Sequence, residues 1–431
     1  MFYKFLLGAC LSVLITINLY SQNIDIGQAT NIFQDYEEIC KLDNGQLWGI
    51  SLYGPLMFVD RESRTIVANI QDKEGNLTNY NGVFQGKLPL HQGIANTTFD
   101  WNGQQWTMVV WPLSDNIYER NQLLFHECFH SAQIKLDINL INTENPHLDK
   151  KDGRVWLQLE WLALLDALNK TDNKESIQDA LIFRNYRRSI FPDSDSTENA
   201  LELLEGIPEY TGIKLSGRDS METLKYFSVM VETARSRFSF FRTFPYTSGP
   251  LYCFLIERKD QAWRQNIHDI DDLGDYLKNV YSIPIPSDLL SEAKNRAKKY
   301  GGEELIQQET KREKEIIDKK SSIIATFIDG PILILPIKKP NMEFSPLNMM
   351  AIDDKGTYYE TFRLVDIWGI LEVEEGTFIP KDWSAIHVVA GNIQTDVISI
   401  KGKGWVLNLK DGWILSPIKD SKNFTMINSE K

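Results

Sequence analysis

Five consecutive residues carry the most chemistry in this chain: His126-Glu127-Cys128-Phe129-His130. They lie inside an apolar run from Leu123 to Ala132, a texture that predicts a helix. On a helix, side chains four residues apart sit one above the other on the same face. Two imidazoles at that spacing can grip one Zn²⁺, and Glu127, one step round the helix, can reach a water beside the ion. The chain has six histidines and places two of them here. The competing interpretation is a buried helix whose histidines only hydrogen-bond into the core.

A catalytic zinc needs a third protein ligand and an open position for water. The first candidate is Glu205, in Glu202-Leu203-Leu204-Glu205-Gly206-Ile207-Pro208-Glu209-Tyr210. The rival is Glu160, an acid on the otherwise apolar segment Val155–Asn169. A buried carboxylate is costly unless it is paired or metal-bound. Glu160 could therefore be a ligand, could orient a motif histidine, or could pair with an arginine such as Arg154. Glu202 and Glu209 could orient the ligands or be exposed helix charges.

The segment around Glu205 resembles the Glu-Gly-x-Ala-x-Tyr segment of gluzincin metallopeptidases, in which the glutamate before the glycine binds zinc. Glu205, Gly206 and Tyr210 match, with Pro208 in the place of the alanine. The resemblance is to the clan, and it covers the two motif segments and, loosely, the hairpin before and the helices after them. It departs from the aminopeptidase branch in the 74 residues that separate His130 from Glu205. It also lacks a Gly-x-Met-Glu-Asn segment for a free amino terminus. The resemblance implies a zinc peptidase with one Zn²⁺ held by His126, His130 and Glu205, and with Glu127 as general base. It further implies a tyrosine or histidine as oxyanion donor from a later helix, for which Tyr246 is the first candidate and Tyr252 the second. In such folds the strand before the motif helix edges the cleft, so Trp106 and Trp111 could wall subsites or merely seal the sheet. Gly206 is expected to let its helix approach the motif helix closely. Two other functions stay open: a binding protein with a zinc-peptidase shell that cleaves nothing, and a zinc hydrolase of a non-peptide amide.

The net charge of −13 argues against nucleic acid or an anionic membrane as the main partner; the resemblance implies a peptide or protein substrate. Residues 1–21 read as a signal peptide, with Lys4 before an apolar core and Ser21 suited to cleavage. The expected location is therefore outside the cytoplasm: secreted, periplasmic or cell-surface. Leu7-Gly8-Ala9-Cys10 resembles a lipoprotein box, but Cys10 comes too early in the apolar run to be the preferred anchor. After cleavage Cys40, Cys128 and Cys253 remain, an odd count that allows at most one bridge. Cys128 should point away from the zinc face. His91, His147, His268 and His387 are scattered and read as structural or surface residues.

The fold class expected is α+β, in three parts after the signal. Residues 22–115 read as β-rich, with the sharpest signal a hairpin of Thr97–Trp101 and Gln104–Trp111 about Asn102-Gly103. Residues 116–320 read as a helical catalytic body. Its helices are expected near 155–169, 179–189 (after which Thr197 caps the next), 221–240, 251–256 and 287–300, and a charge-dense linker helix at 303–320 ends it. Gly206 and Pro208 are expected to break the helix between Glu205 and Glu209. Residues 321–431 read as a separate β domain, with strands near Ile323–Ile337, Tyr358–Leu364, Ala385–Val389, Val397–Ile400 and Gly404–Leu407.

Overall fold

The computed structural model describes residues 24–429 apart from 91, 139–140, 345–348, 392 and 396–398. The signal segment with Cys10, His91 and the start of the strand expected at Val397 lie outside the described residues. The chain is α+β, as expected: strands near the N-terminus, a helical middle and strands again at the C-terminus. It divides into two compact units, up to Glu309 and from Thr310. The division falls inside one continuous helix, Gly302–Phe327.

The first unit opens on a helix, α1 (Ile26–Asp43), where β structure was expected. Ala29, Ile32, Phe33, Tyr36 and Cys40 form its buried stripe, and their spacing is helical. Asp25 caps it by accepting from the backbone of Gln28 at 2.8 Å. Then come β1 (Leu56–Asp60), β2 (Thr65–Ala68), β3 (Thr78–Tyr80), β4 (Val83–Lys87), β5 (Thr97–Trp101) and β6 (Gln104–Trp111). They form one sheet in the order β3-β4-β2-β1-β6-β5. The hairpin is as expected: Trp101 pairs with Gln104, and Asn102 and Gly103 both have positive φ, as a primed two-residue turn requires. However, β6 does not lie at an edge. It is flanked by β1, in parallel, and by β5, so β5 is the edge strand beside it. Trp106 and Trp111 are both buried and seal the sheet.

The motif helix α2 (Ile117–Lys135) starts from an Asn116 cap and packs on β5 and β6. Next are α3 (Lys151–Leu168), α4 (Lys174–Ile190), α5 (Ser194–Leu201), one π turn (Glu202–Gly206) and α6 (Ile207–Lys214). The break expected at Gly206 is absent; the π turn carries the helix through without interruption. Pro208 follows the π turn directly; it has no N–H to bond back along the helix, and the carbonyls of Leu203 and Leu204 accept from Gln133 instead. Thr197 does not cap: the helix begins a turn earlier, and its hydroxyl bonds to the Ser194 carbonyl. After these come α7 (Ser220–Arg235), α8 (Pro245–Lys259), α9 (Leu273–Tyr281), α10 (Leu289–Ala297) and α11 (Gly302–Phe327). Leu56, Phe58, Val67 and Val109 from one sheet face join the helices in a single core.

Two expectations in the C-terminal unit need correction. The segment 323–327 is helical, with Ile323 and Phe327 both buried four residues apart; the strand follows as Ile332–Pro336. The strand expected at Tyr358–Leu364 is two strands. Gly356–Tyr359 pairs with Thr377–Pro380, and Phe362–Asp366 pairs with Gly369–Val373 in a different sheet. The chain switches sheets at residues 360–361. The two sheets enclose Leu333, Leu335, Ile386, Leu364, Leu371 and Leu407 between them.

Candidate metal centre

Helix α2 is anchored by one face and offers the other. Leu124, Phe125, Cys128, Phe129 and Ala132 are buried in the main core, and Phe129 packs on Trp48 with ring centroids 4.8 Å apart. His126 and His130 project from the opposite side. As expected, Cys128 faces away from them, against Tyr36, and burial pushes its thiol pKa up to about 12. All three cysteines among the described residues are free and buried.

The structure brings Glu205 to the two histidines. Nε2 of His126 and Nε2 of His130 are 3.3 Å apart. Glu205 Oε2 lies 3.5 Å from the first and 3.7 Å from the second. Tetrahedral zinc with ligands at about 2.0–2.1 Å requires edges of roughly 3.3–3.4 Å. The three atoms already form such a face, and among the described residues they are the one His/Cys/Asp/Glu group so arranged. The donor set fits zinc.

Each donor is held from behind. His126 Nδ1 is 2.8 Å from Glu209 Oε2. His130 Nδ1 is 2.8 Å from Gln133 Oε1. Donating Nδ1–H to these oxygens leaves both Nε2 lone pairs facing Glu205, which suits a metal ligand. Tyr246 donates its hydroxyl to Glu205 Oε2 at 2.7 Å and stacks on His126 with the ring planes 11° apart. Glu209 in turn accepts from Gln122 Nε2 at 2.6 Å. Glu127 is 1% exposed and lies on α2 beside the first histidine.

Burial disfavours a charged His126, but hydrogen bonds to Glu205 and Glu209, with Glu127 nearby, push its pKa up to about 10. Burial likewise disfavours a charged Glu205, but the His126 hydrogen bond, the nearby imidazoles and the Tyr246 hydroxyl hold it down to about 2. A metal at these donors would compete with protons for them.

Glu160 does not join the site. It is fully buried, accepts from Tyr252 at 2.7 Å and Arg184 at 3.3 Å, and is paired with Arg187. Tyr252 is therefore committed to Glu160, which leaves Tyr246 as the tyrosine at the histidines. Arg154 pairs with Glu309 instead. Glu202 also faces the arginines, so Glu209 alone of the two flanking acids supports a ligand.

Gly206 acts differently from expectation. A Cβ on it would lie 2.8 Å from Gly249 Cα on α8. The close approach to α2 belongs to Gly212, where a Cβ would lie 2.4 Å from the Gln122 carbonyl oxygen. Gln133 went unnoticed in the sequence, although its position three residues after His130 puts it on the same helical face. Of the other histidines described, His147 is buried on Glu198 at 2.8 Å and His387 bonds the Phe327 carbonyl, both structural, while His268 is exposed.

Comparison of the chain with protein-family models, with curated proteins and with solved structures returned no match.

Proposed function

We propose that this protein is a secreted, zinc-dependent peptidase. The observation that carries the reading is the convergence of His126 Nε2, His130 Nε2 and Glu205 Oε2 within 3.3–3.7 Å of one another, with Glu127 between the histidines in sequence. Zinc held there would supply Lewis-acid chemistry, acidifying a water and polarising the scissile carbonyl. Glu127 takes the water proton and passes it to the leaving amine. Glu209 and Gln133 keep the imidazoles turned toward the reacting centre. Tyr246 gives its one hydroxyl proton to Glu205 Oε2 in this structure and would turn that donor to the developing oxyanion during the reaction. The side chains of His130 and Glu205 are 18% and 16% exposed, which leaves a way in for substrate. The edge strand β5 packs against α2 and can accept an extended peptide through its main chain.

The test is a peptide-library cleavage assay with zinc quantified in the same samples. Wild type is expected to hold about one zinc per chain and to cleave. Glu127→Gln should keep the zinc and lose about 10²–10⁴-fold in rate. A zinc-loaded wild type that cleaves no peptide would overturn the peptidase reading.

A further inference from the structure

The helix that carries Glu205 is not uniformly α. Between α5 and α6 it makes a π turn over Glu202–Gly206. Hydrogen bonds in such a turn reach five residues along, which accommodates an additional residue and disturbs the neighbouring carbonyl pattern. Isolated π turns persist where the surroundings hold them, and they recur at functional sites.

Three contacts hold this one. Arg184 grips Glu202 with two bonds, Nη1 to Oε1 at 2.9 Å and Nη2 to Oε2 at 2.6 Å. Gln133, fully buried, donates its amide to the carbonyls of Leu203 and Leu204, both at 3.0 Å. Gly206 rests on Gly249, closer than any Cβ would permit. The turn also has a geometric consequence. In an α-helix, residues three apart point only about 60° from each other, so Glu202 and Glu205 would crowd toward one face. A wider turn separates them further. Here Glu202 faces Arg184, while Glu205 faces His126 and His130.

We infer that the π turn is the element that aims Glu205 at the metal site, and that Arg184, Glu202 and Gln133 are positioning residues that hold it wound. This rests on the zinc reading above. Gln133 links the two parts directly: its oxygen holds His130 while its nitrogen holds the turn.

The test uses the full chain and two readouts, zinc affinity by competition with a chromophoric chelator and the visible spectrum of the Co²⁺-substituted protein. The paired variant Arg184→Met with Glu202→Met removes both charges of the clamp together. It is expected to keep its helical circular dichroism, to bind zinc about 10–100-fold more weakly, and to lose the four-coordinate cobalt bands. Gln133→Glu keeps an acceptor for His130 but loses the donor to the two carbonyls. A carboxylate behind a histidine normally strengthens the ligand, so weaker zinc binding here would report the turn. Asp272→Asn touches the same arginine network from outside the turn, with Asp272 Oδ1 3.2 Å from Arg184. It should lower the melting temperature and leave zinc affinity unchanged. A folded paired variant with wild-type affinity and cobalt spectrum would overturn the inference; should that variant not fold, zinc affinity raised above wild type in Gln133→Glu overturns it equally. A wild type that takes up no zinc would instead overturn the metal reading beneath it.

Discussion

Replacing Gly206 by alanine sets two opposed effects against each other at a position where their sizes can be compared. Alanine in a helix is favoured over glycine by about 1 kcal/mol. The new methyl, however, would lie 2.8 Å from Gly249 Cα and 3.1 Å from the Pro245 carbonyl oxygen. Carbon atoms rest at about 3.5–4.0 Å, so α8 must retreat by roughly 1 Å. Both obstructing atoms belong to the backbone, which cannot rotate aside, so the overpacking cost falls toward the upper part of the usual 1–3 kcal/mol or so. The clash wins, with a net loss of about 1–2 kcal/mol. At about 2–4 °C per kcal/mol for a domain of this size, the melting temperature should fall by roughly 2–8 °C. The same retreat would stretch the 2.7 Å bond from Tyr246 to Glu205 beyond hydrogen-bonding range. Zinc affinity should therefore fall by about tenfold or more. The assay is differential scanning calorimetry of the metal-free protein, followed by chelator competition. Gly93→Ala is the control, because a methyl there meets nothing within 4 Å. A Gly206→Ala protein that melts at or above the wild-type temperature would show that helix propensity outweighs the contact and would refute the reasoning.

Two more outcomes follow from the ligand set and its neighbours. His130→Ala and Glu205→Gln should each lose stoichiometric zinc by metal analysis, while Glu160→Gln should keep it and lose about 3 kcal/mol in denaturant unfolding, since it breaks a buried ion pair with Arg187; zinc lost from Glu160→Gln would reverse the assignment. Stability should also fall on acidification. Burial opposes the charges of Glu198 and Asp272, but Arg187 with His147, and Arg184 with Arg188, hold both carboxyls well below the usual range. A depressed folded pKa contributes stability above the unfolded value of about 4 and loses it as pH falls through that value toward the folded one. Glu202 works against the trend, because burial raises its pKa despite Arg184. Melting temperatures followed from pH 7 downward should drop below roughly pH 5, with a shallower slope in Asp272→Asn; a slope unchanged by that substitution would exclude Asp272 as a source.

Much of the site was legible in the sequence because it depends on local spacing. The step from His126 to His130 is one helical turn, so any helix puts the two imidazoles together. The Asn102-Gly103 hairpin was equally readable, since positive φ at both positions suits these residues. The apolar stripe of α1 was also there to be read, but the turn-rich texture after it masked the helix. The ranking of Glu205 over Glu160 rested on a clan resemblance, and what separates them physically is not local. Both are acids on helical turns, and only the fold buries Glu160 against Arg184 and Arg187 and leaves the partly exposed Glu205 facing the histidines.

The sequence by itself determined that His126 and His130 can share one metal, because helical periodicity is a property of a few neighbouring residues. It also determined the α+β class, through short apolar runs with turn signals on either side of a helical middle. Only the tertiary structure decided that β6 is interior and β5 the edge, since strand order depends on partners far along the chain. The same holds for the partner of Gly206, which is Gly249 on α8 and not the motif helix. The π turn belongs with these. No local signal marks it, because it is held by Arg184 and Gln133 from two other helices, and its winding is set by what those residues can reach.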